Sequence, residues 1–182
     1  YFFKPIDVNE FLNETTFHEI QLGNLIVQHT EGNFPELNEI NIALIGVCED
    51  RNSVNNTGCN MAPNEVRSFL YKLYAGTFSP KIVDLGNIMP GKTVNDTYFA
   101  LRECVEVLVK QNIIPIIIGG SQDITYAQFL GYKNLEQTIN MVAIDSVFDL
   151  GNPDDDITNN SYLGKIILHQ PNYLFNYSNI GY

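Results

Sequence analysis

The chain has 182 residues, of which 45% are hydrophobic, and its 10 basic against 21 acidic residues give a formal net charge of −11. This length is typical of one domain with a sizeable buried core. The acidic balance and the lack of a basic patch argue against a nucleic-acid partner, because affinity for the phosphate backbone comes largely from Lys and Arg. No apolar run approaches the ~20 residues of a membrane helix, so no membrane span is expected.

Cysteine use and the two ends of the chain bear on its context. Cys48, Cys59 and Cys104 lie far apart without C-x-x-C spacing, which favours reduced thiols and a cytoplasmic location. The chain starts at Tyr1 rather than Met and stops at Tyr182 in an apolar–polar rhythm. We therefore expect both ends to be incomplete, and a signal peptide removed before residue 1 stays an open alternative.

Hydrophobic patterning predicts an N-terminal extension over residues 1–38 and an α/β domain over 39–182, incomplete at its C-terminus. Strands are predicted at 41–47, 82–86, 113–118 and 141–144, and helices at about 63–73, 93–111, 124–135 and 162–169. Strands that alternate with helices favour a three-layer α/β/α architecture with a mostly parallel sheet.

Two helices carry apolar residues at helical spacing. The first places a stripe of Val66, Phe69, Leu70 and Leu73 that we expect to face the sheet. The second is predicted to be capped within Thr93–Asp96. Its predicted buried side comprises Phe99, Leu101, Val105, Leu108 and Val109.

Two predicted strands end in small polar clusters. Residues 113–118 are followed by Gly119-Gly120-Ser121-Gln122-Asp123, and residues 141–144 by Asp145-Ser146-Val147-Phe148-Asp149. Parallel strands deliver such groups to the carboxyl edge of a sheet, where sites form. By spacing alone, Asp145 and Asp149 either converge on one hard cation or are ordinary solvated loop residues.

These strand ends resemble those of the arginase/agmatinase/formimidoylglutamase (ureohydrolase) family, which end in a Gly-Gly-Asp-His-type turn and in Asp-Ala-His-x-Asp. Residues 58–67 are similar to the family's Gly-x-x-x-Gly-Pro-x-x-Ile-Arg element, with Ala62 in place of the second Gly. The resemblance implies an arginase-like fold, a pair of manganese ions and a further acidic strand end beyond residue 182. Asp145 and Asp149 match ligand positions, whereas Gln122 and Val147 stand where the family has His.

This pattern predicts a degenerate metal site with no catalytic residue and no cofactor. The expected role is a non-catalytic binding or assembly component whose partners are proteins or copies of itself. The alternative is a manganese-dependent hydrolase of linear amidines or guanidines, such as formimidoylglutamate or arginine, that uses Asp145 and Asp149 with downstream acids. A third possibility is a ligand sensor that keeps the pocket without metals. Asp123 either supplies a carboxylate to the vacated place or caps the following helix.

Other motifs indicate no separate chemistry. His18, His29 and His169 are expected in surface or structural roles. The run Asp154–Asp156 lacks the glycine and closing glutamate of a calcium loop. Ser121 is not followed by the glycine of a nucleophile elbow.

Overall fold

The computed structural model describes residues 2–12, 16–77, 80–152 and 154–182. The strands are β1 (Phe3–Lys4), β2 (Val27–Gln28), β3 (Ile42–Val47), β4 (Ile82–Ile88), β5 (Ile114–Ile118), β6 (Ile139–Ile144) and β7 (Leu174–Ile180). The α-helices are α1 (Leu22–Leu25), α2 (Ala62–Leu70), α3 (Val94–Lys110), α4 (Ile124–Lys133) and α5 (Tyr162–Leu168), with short 3₁₀ helices at Val8–Glu10 and Cys59–Met61.

The main sheet is built around β3, which pairs in parallel with β4 on one side and with β5 on the other. Ile42 lies opposite both Ile82 and Ile114. β3 is apolar throughout because parallel strands are covered on both faces. On the far side of β4, β2 adds in parallel and β1 in antiparallel orientation. The predicted α/β fold with a mostly parallel sheet is confirmed.

β6 and β7 form a separate two-stranded parallel sheet. Along β6, Ile139 and Met141 pack toward α4 and α5, whereas Val142 and Ile144 are exposed. β7 is absent from the predicted elements, since its polar residues weaken the strand pattern. Within the part of the chain described, neither β5 nor β6 has a partner along its second edge.

α3 begins at the predicted cap. Thr93 accepts from the Asp96 backbone N–H, and Asp96 accepts from the Thr93 backbone N–H, which makes a full capping box. Leu101 and Val105 are buried against the sheet. The expectation for Phe99 was wrong, because its ring is half exposed and contacts Phe2 and the Arg102 guanidinium at the surface.

The orientation predicted for α2 was wrong for three of the four stripe residues. Val66, Phe69 and Leu73 are exposed, whereas Leu70 is partly buried and packs against the cluster that contains Leu44, as predicted. Arg67 and Tyr71 are fully buried on the side that faces the sheet. Arg67 donates to both carboxylate oxygens of Asp84 on β4, at 2.7 and 2.8 Å. Turning the stripe inward would leave a buried carboxylate without its cation, and an unpaired buried charge costs more than exposed apolar surface.

The N-terminal segment is integrated into this architecture. β1 and β2 are hydrogen-bonded to β4, and Leu12 and Ile26 share a buried cluster with Leu44 and Tyr71. The boundary between residues 38 and 39 stays a prediction. In the described ranges, no helix has the length and apolarity to cross a membrane.

Candidate functional site

The carboxyl ends of β3 and β5 are held together by the backbone. The Ser121 N–H donates to the Glu49 carbonyl oxygen at 2.8 Å. A Cβ on Gly120 would lie 2.3 Å from the same carbonyl oxygen, so the approach requires glycine. The turn after β5 thus lies directly beside the loop after β3.

Glu49 is a buried residue at the carboxyl ends of β3 and β5, and it was not among the site residues predicted from the sequence. Its carboxylate accepts from the Arg51 guanidinium at 2.9 and 2.5 Å and from the Thr97 hydroxyl at 2.8 Å. Burial acts to raise the pKa of Glu49, but these hydrogen bonds together lower it. The sequence signal that could have identified Glu49 is its position two residues after the end of the buried strand β3.

Asp123 occupies the N-cap position of α4, yet its side chain makes no capping hydrogen bond. The capping alternative is therefore wrong. The carboxylate is fully buried and accepts from the Tyr98 hydroxyl, which also contacts Asn52. Burial and the Asp123 carboxylate raise the pKa of Tyr98. The second oxygen of Asp123, Oδ1, has no partner among the described residues.

Asp145 and Gln122 meet across the two strand ends. The Gln122 amide nitrogen donates to Asp145 Oδ2 at 2.8 Å and to the Tyr162 hydroxyl oxygen at 3.3 Å. The Val147 backbone N–H donates to Asp145 Oδ1 at 3.2 Å. These hydrogen bonds, Gln122 first, lower the pKa of Asp145.

Asp149 lies at the same edge in a drier environment. Its side chain is buried, and its Oδ2 has no partner among the described residues. Burial, followed by the charge of Asp145, raises the pKa of Asp149 to about 6. Burial and the nearby Asp149 also raise the pKa of Tyr162 to about 12. Two neighbouring carboxylates thus have pKa values shifted in opposite directions.

The remaining predicted positions bring little to this edge. The half-exposed side chain of Val147 has no donor or acceptor. His29 contacts the Leu85 carbonyl oxygen at 2.9 Å, and His169 contacts the Tyr126 hydroxyl at 3.1 Å, so both have structural partners. Over the described residues, no cluster of three or more His, Cys, Asp or Glu is arranged to hold a metal ion. Cys48, Cys59 and Cys104 are free thiols, as predicted.

The protein has an α/β fold. The polar side chains of its candidate site lie at the carboxyl ends of parallel strands. The chain belongs to the arginase family, whose sequence profile matches residues 40–172. The resemblance carried by the two strand ends is thereby confirmed.

Curated relatives are formimidoylglutamases. The protein from Streptococcus gordonii is 29% identical over 138 residues, covering 69% of this chain and 42% of the relative. The protein from Macrococcus caseolyticus is 29% identical over 144 residues, or 76% of this chain and 45% of the relative. The chain therefore spans less than half the length of these relatives.

Solved structures show the same fold. Formiminoglutamase from Trypanosoma cruzi, solved with Mn2+, superposes with a TM-score of 0.69 at 20% identity, covering 82% of this chain and 53% of that one. Formimidoylglutamase from Bacillus subtilis gives a TM-score of 0.70 at 21% identity, covering 87% and 53%. The described elements thus correspond to about half of an arginase-like fold.

Proposed function

We propose that this chain is a non-catalytic member of the arginase family that does not assemble a binuclear manganese centre and serves in binding or assembly. The observation that carries the proposal is the hydrogen bond from the Gln122 amide to Asp145 Oδ2. In a metal site, a carboxylate oxygen donates a lone pair to the cation. Here the lone pair of Asp145 Oδ2 instead accepts a hydrogen bond from the Gln122 amide N–H group.

The donor set gives further support. A binuclear centre of this family combines imidazoles with carboxylates, and its two ions supply an activated hydroxide for attack on an amidine or guanidinium carbon. Gln122 directs its amide N–H group toward Asp145 and Tyr162, and Val147 has no ligand atom. The residues present therefore do not fit that pair of ions.

Asp123 does not compensate for the missing imidazoles. It offers carboxylate oxygens rather than a nitrogen donor, and its Oδ2 already accepts from the Tyr98 hydroxyl. Only the buried Oδ1 is without a partner among the described residues.

The alternative function is a metal-dependent hydrolase of linear amidines or guanidines. It is favoured by the formimidoylglutamase relatives and by Asp149, whose buried Oδ2 lacks a partner among the described residues. In that case Asp145 and Asp149 would bind a cation together with acidic residues beyond residue 182. Oxygen ligands of this kind suit Mn2+ and Mg2+.

Metal binding tests the proposal. We expect the purified protein to contain no stoichiometric Mn2+ by elemental analysis and to show no tight Mn2+ binding by calorimetry. A Gln122→His/Val147→His variant should bind Mn2+ at least about 10–100-fold more tightly, the scale on which ligand-shell changes act. The matched control adds Asp145→Asn to this variant and should lose the gain.

Two outcomes would contradict the proposal. Two tightly bound Mn2+ ions in the unmodified protein would show that it does assemble a binuclear centre. Release of formamide from formimidoylglutamate, or of urea from arginine, with a rate that depends on Asp145, would establish the hydrolase instead.

A further inference from the structure

A cavity at the carboxyl ends of β3 and β4 is rich in sulfur. It has a volume of about 230 Å³, and its lining includes Cys48, Met61 and Met89. The whole chain has three cysteines and three methionines, so half of its sulfur atoms belong to residues of this one cavity. Ligands of open α/β sheets bind at this edge of the strands. We call Cys48, Met61 and Met89 the sulfur cluster.

The parallel pairing of β3 and β4 brings two members of the sulfur cluster together. Val47 lies opposite Ile88, and the Cys48 backbone N–H donates to the Ile88 carbonyl oxygen at 3.0 Å. Cys48 and Met89 directly follow these two residues, so they leave the sheet side by side. Met61 ends the short 3₁₀ helix that precedes α2. Three separate segments of the chain thus contribute sulfur to one cavity.

Side-chain oxygen atoms that line the same cavity already accept hydrogen bonds. Glu10 Oε1 accepts from the Lys4 ammonium at 2.6 Å, and Asn87 Oδ1 accepts from the Arg67 guanidinium at 2.5 Å. Asn64 Oδ1 accepts from the Asn87 amide at 3.0 Å. A hard cation, which prefers oxygen ligands, would have to displace these hydrogen bonds.

The sulfur atoms are the accessible donors of the cavity. Cys48 is a free, half-buried thiol. Met61 and Met89 are 62% and 46% exposed, although methionine is more often a buried residue. Their unbranched side chains can rotate toward a ligand. Thiolate combined with thioether sulfur suits a soft monovalent metal ion, whereas zinc sites are built from Cys, His and carboxylates.

From this arrangement we propose that the sulfur cluster binds one Cu(I) ion through the Cys48 thiolate and the thioether sulfurs of Met61 and Met89. Burial raises the pKa of the Cys48 thiol despite the positive charges of Arg67 and Lys4, so the ion has to displace a proton. The S–H bond breaks, an S–Cu bond forms, the proton passes to solvent and copper remains in the +1 state.

This site is separate from the one discussed under the proposed function. The sulfur cluster lies where β3 and β4 end, whereas Gln122 follows β5, which pairs with the opposite edge of β3. The copper site uses neither Asp145 nor Asp149. Binding of Cu(I) and binding of Mn2+ can therefore fail independently.

Anaerobic competition against a coloured Cu(I) chelator, such as bathocuproine disulfonate, tests the site on the full chain. We expect one Cu(I) per chain, sulfur neighbours alone in the X-ray absorption spectrum, and no displacement by an equal amount of Zn2+. Cys48→Ser should raise the dissociation constant at least about 100-fold, because it removes the one charged ligand. Met61→Leu and Met89→Leu should each raise it about 10-fold, the scale on which ligand-shell changes act.

The chain also supplies matched controls. Cys59 and Met141 do not line this cavity, and Cys59 Sγ donates to Ser53 Oγ at 3.8 Å. Cys59→Ser and Met141→Leu should therefore leave the dissociation constant unchanged within about twofold. Circular dichroism should show that all the variants keep the fold, because the exchanged side chains have similar volumes.

Several outcomes would overturn the copper site. They are an unmodified protein that does not bind Cu(I), binding that survives Cys48→Ser, binding that is lost in Cys59→Ser, and oxygen or nitrogen neighbours around the bound ion. Displacement of the ion by equimolar Zn2+ would equally contradict a thioether site.

Discussion

Buried charged residues organise this molecule at the scale of single side chains. Arg67 and Asp84 form a fully buried bidentate pair that also involves the Tyr71 hydroxyl, at 3.0 Å from Asp84. Glu49 is equally buried, but its partner Arg51 is partly exposed. The first pair sets the orientation of α2, and Glu49 joins the loop after β3 to α3 through Thr97.

Arg67→Ala should destabilise the fold by about 3–5 kcal/mol, because it leaves the Asp84 carboxylate buried without a cation. The control is Lys110→Ala, which removes an exposed pair with Glu106 and should cost no more than about 0.5 kcal/mol. Urea unfolding of both variants measures the difference. Equal losses would show that the buried pair is not a determinant of stability.

Glu49 should make stability depend on pH. Its pKa is lowered in the folded chain, so its contribution is complete above the unfolded pKa of about 4.3 and is lost as pH falls through the folded value. Glu49→Gln should therefore cost about 1 kcal/mol at pH 7 and progressively less in acid. Urea midpoints at pH 7 and pH 3.5 test this. A cost that is equal at both pH values would refute the assignment.

At the scale of elements, the contact between the ends of β3 and β5 positions the candidate site. It depends on the absence of a side chain at Gly120 and on the hydrogen bond from Ser121 to Glu49. α2 shows a second element-scale effect. Amphipathic spacing identified the helix correctly, but the buried pair on β4 decided which face turned inward.

Gly120→Ala should destabilise the chain by more than about 2 kcal/mol, because the added methyl group meets a backbone atom that cannot move aside cheaply. Gly76→Ala is the matched control. Nothing lies within 4 Å of its added Cβ, so the change should be neutral or stabilising by about 0.4–1 kcal/mol. Thermal unfolding measures both, and similar behaviour of the two variants would contradict the close approach.

At the scale of the whole molecule, the two sheets differ in how well they are covered. β3 lies between two strands and is almost entirely buried. The sheet of β6 and β7 has one exposed face, on which Ile144 is 86% exposed. Parallel strands are normally covered on both faces. The described residues therefore combine a buried central strand, β3, with a second sheet that is open on one face.

Hydrogen exchange should reveal this difference. Amides of β3 and β4 are expected to exchange at the rate of global unfolding, whereas those of β6 and β7 should exchange at least about 10-fold faster through local opening. Mass spectrometry of peptides from both sheets in one experiment supplies its own control. Uniform protection would mean that the second sheet is as stable as the first.

The sequence by itself determined strands β3 to β6, helices α2 to α5, the capping of α3 within Thr93–Asp96, the parallel sheet and the two polar strand ends, because apolar periodicity and local hydrogen bonding act over a few residues. Only the tertiary structure decided that Arg67 rather than Phe69 faces the sheet, that Asp123 bonds to Tyr98 and that Glu49 belongs to the site. These outcomes depend on pairing buried charges and polar groups between residues far apart in the chain, which local patterns do not encode.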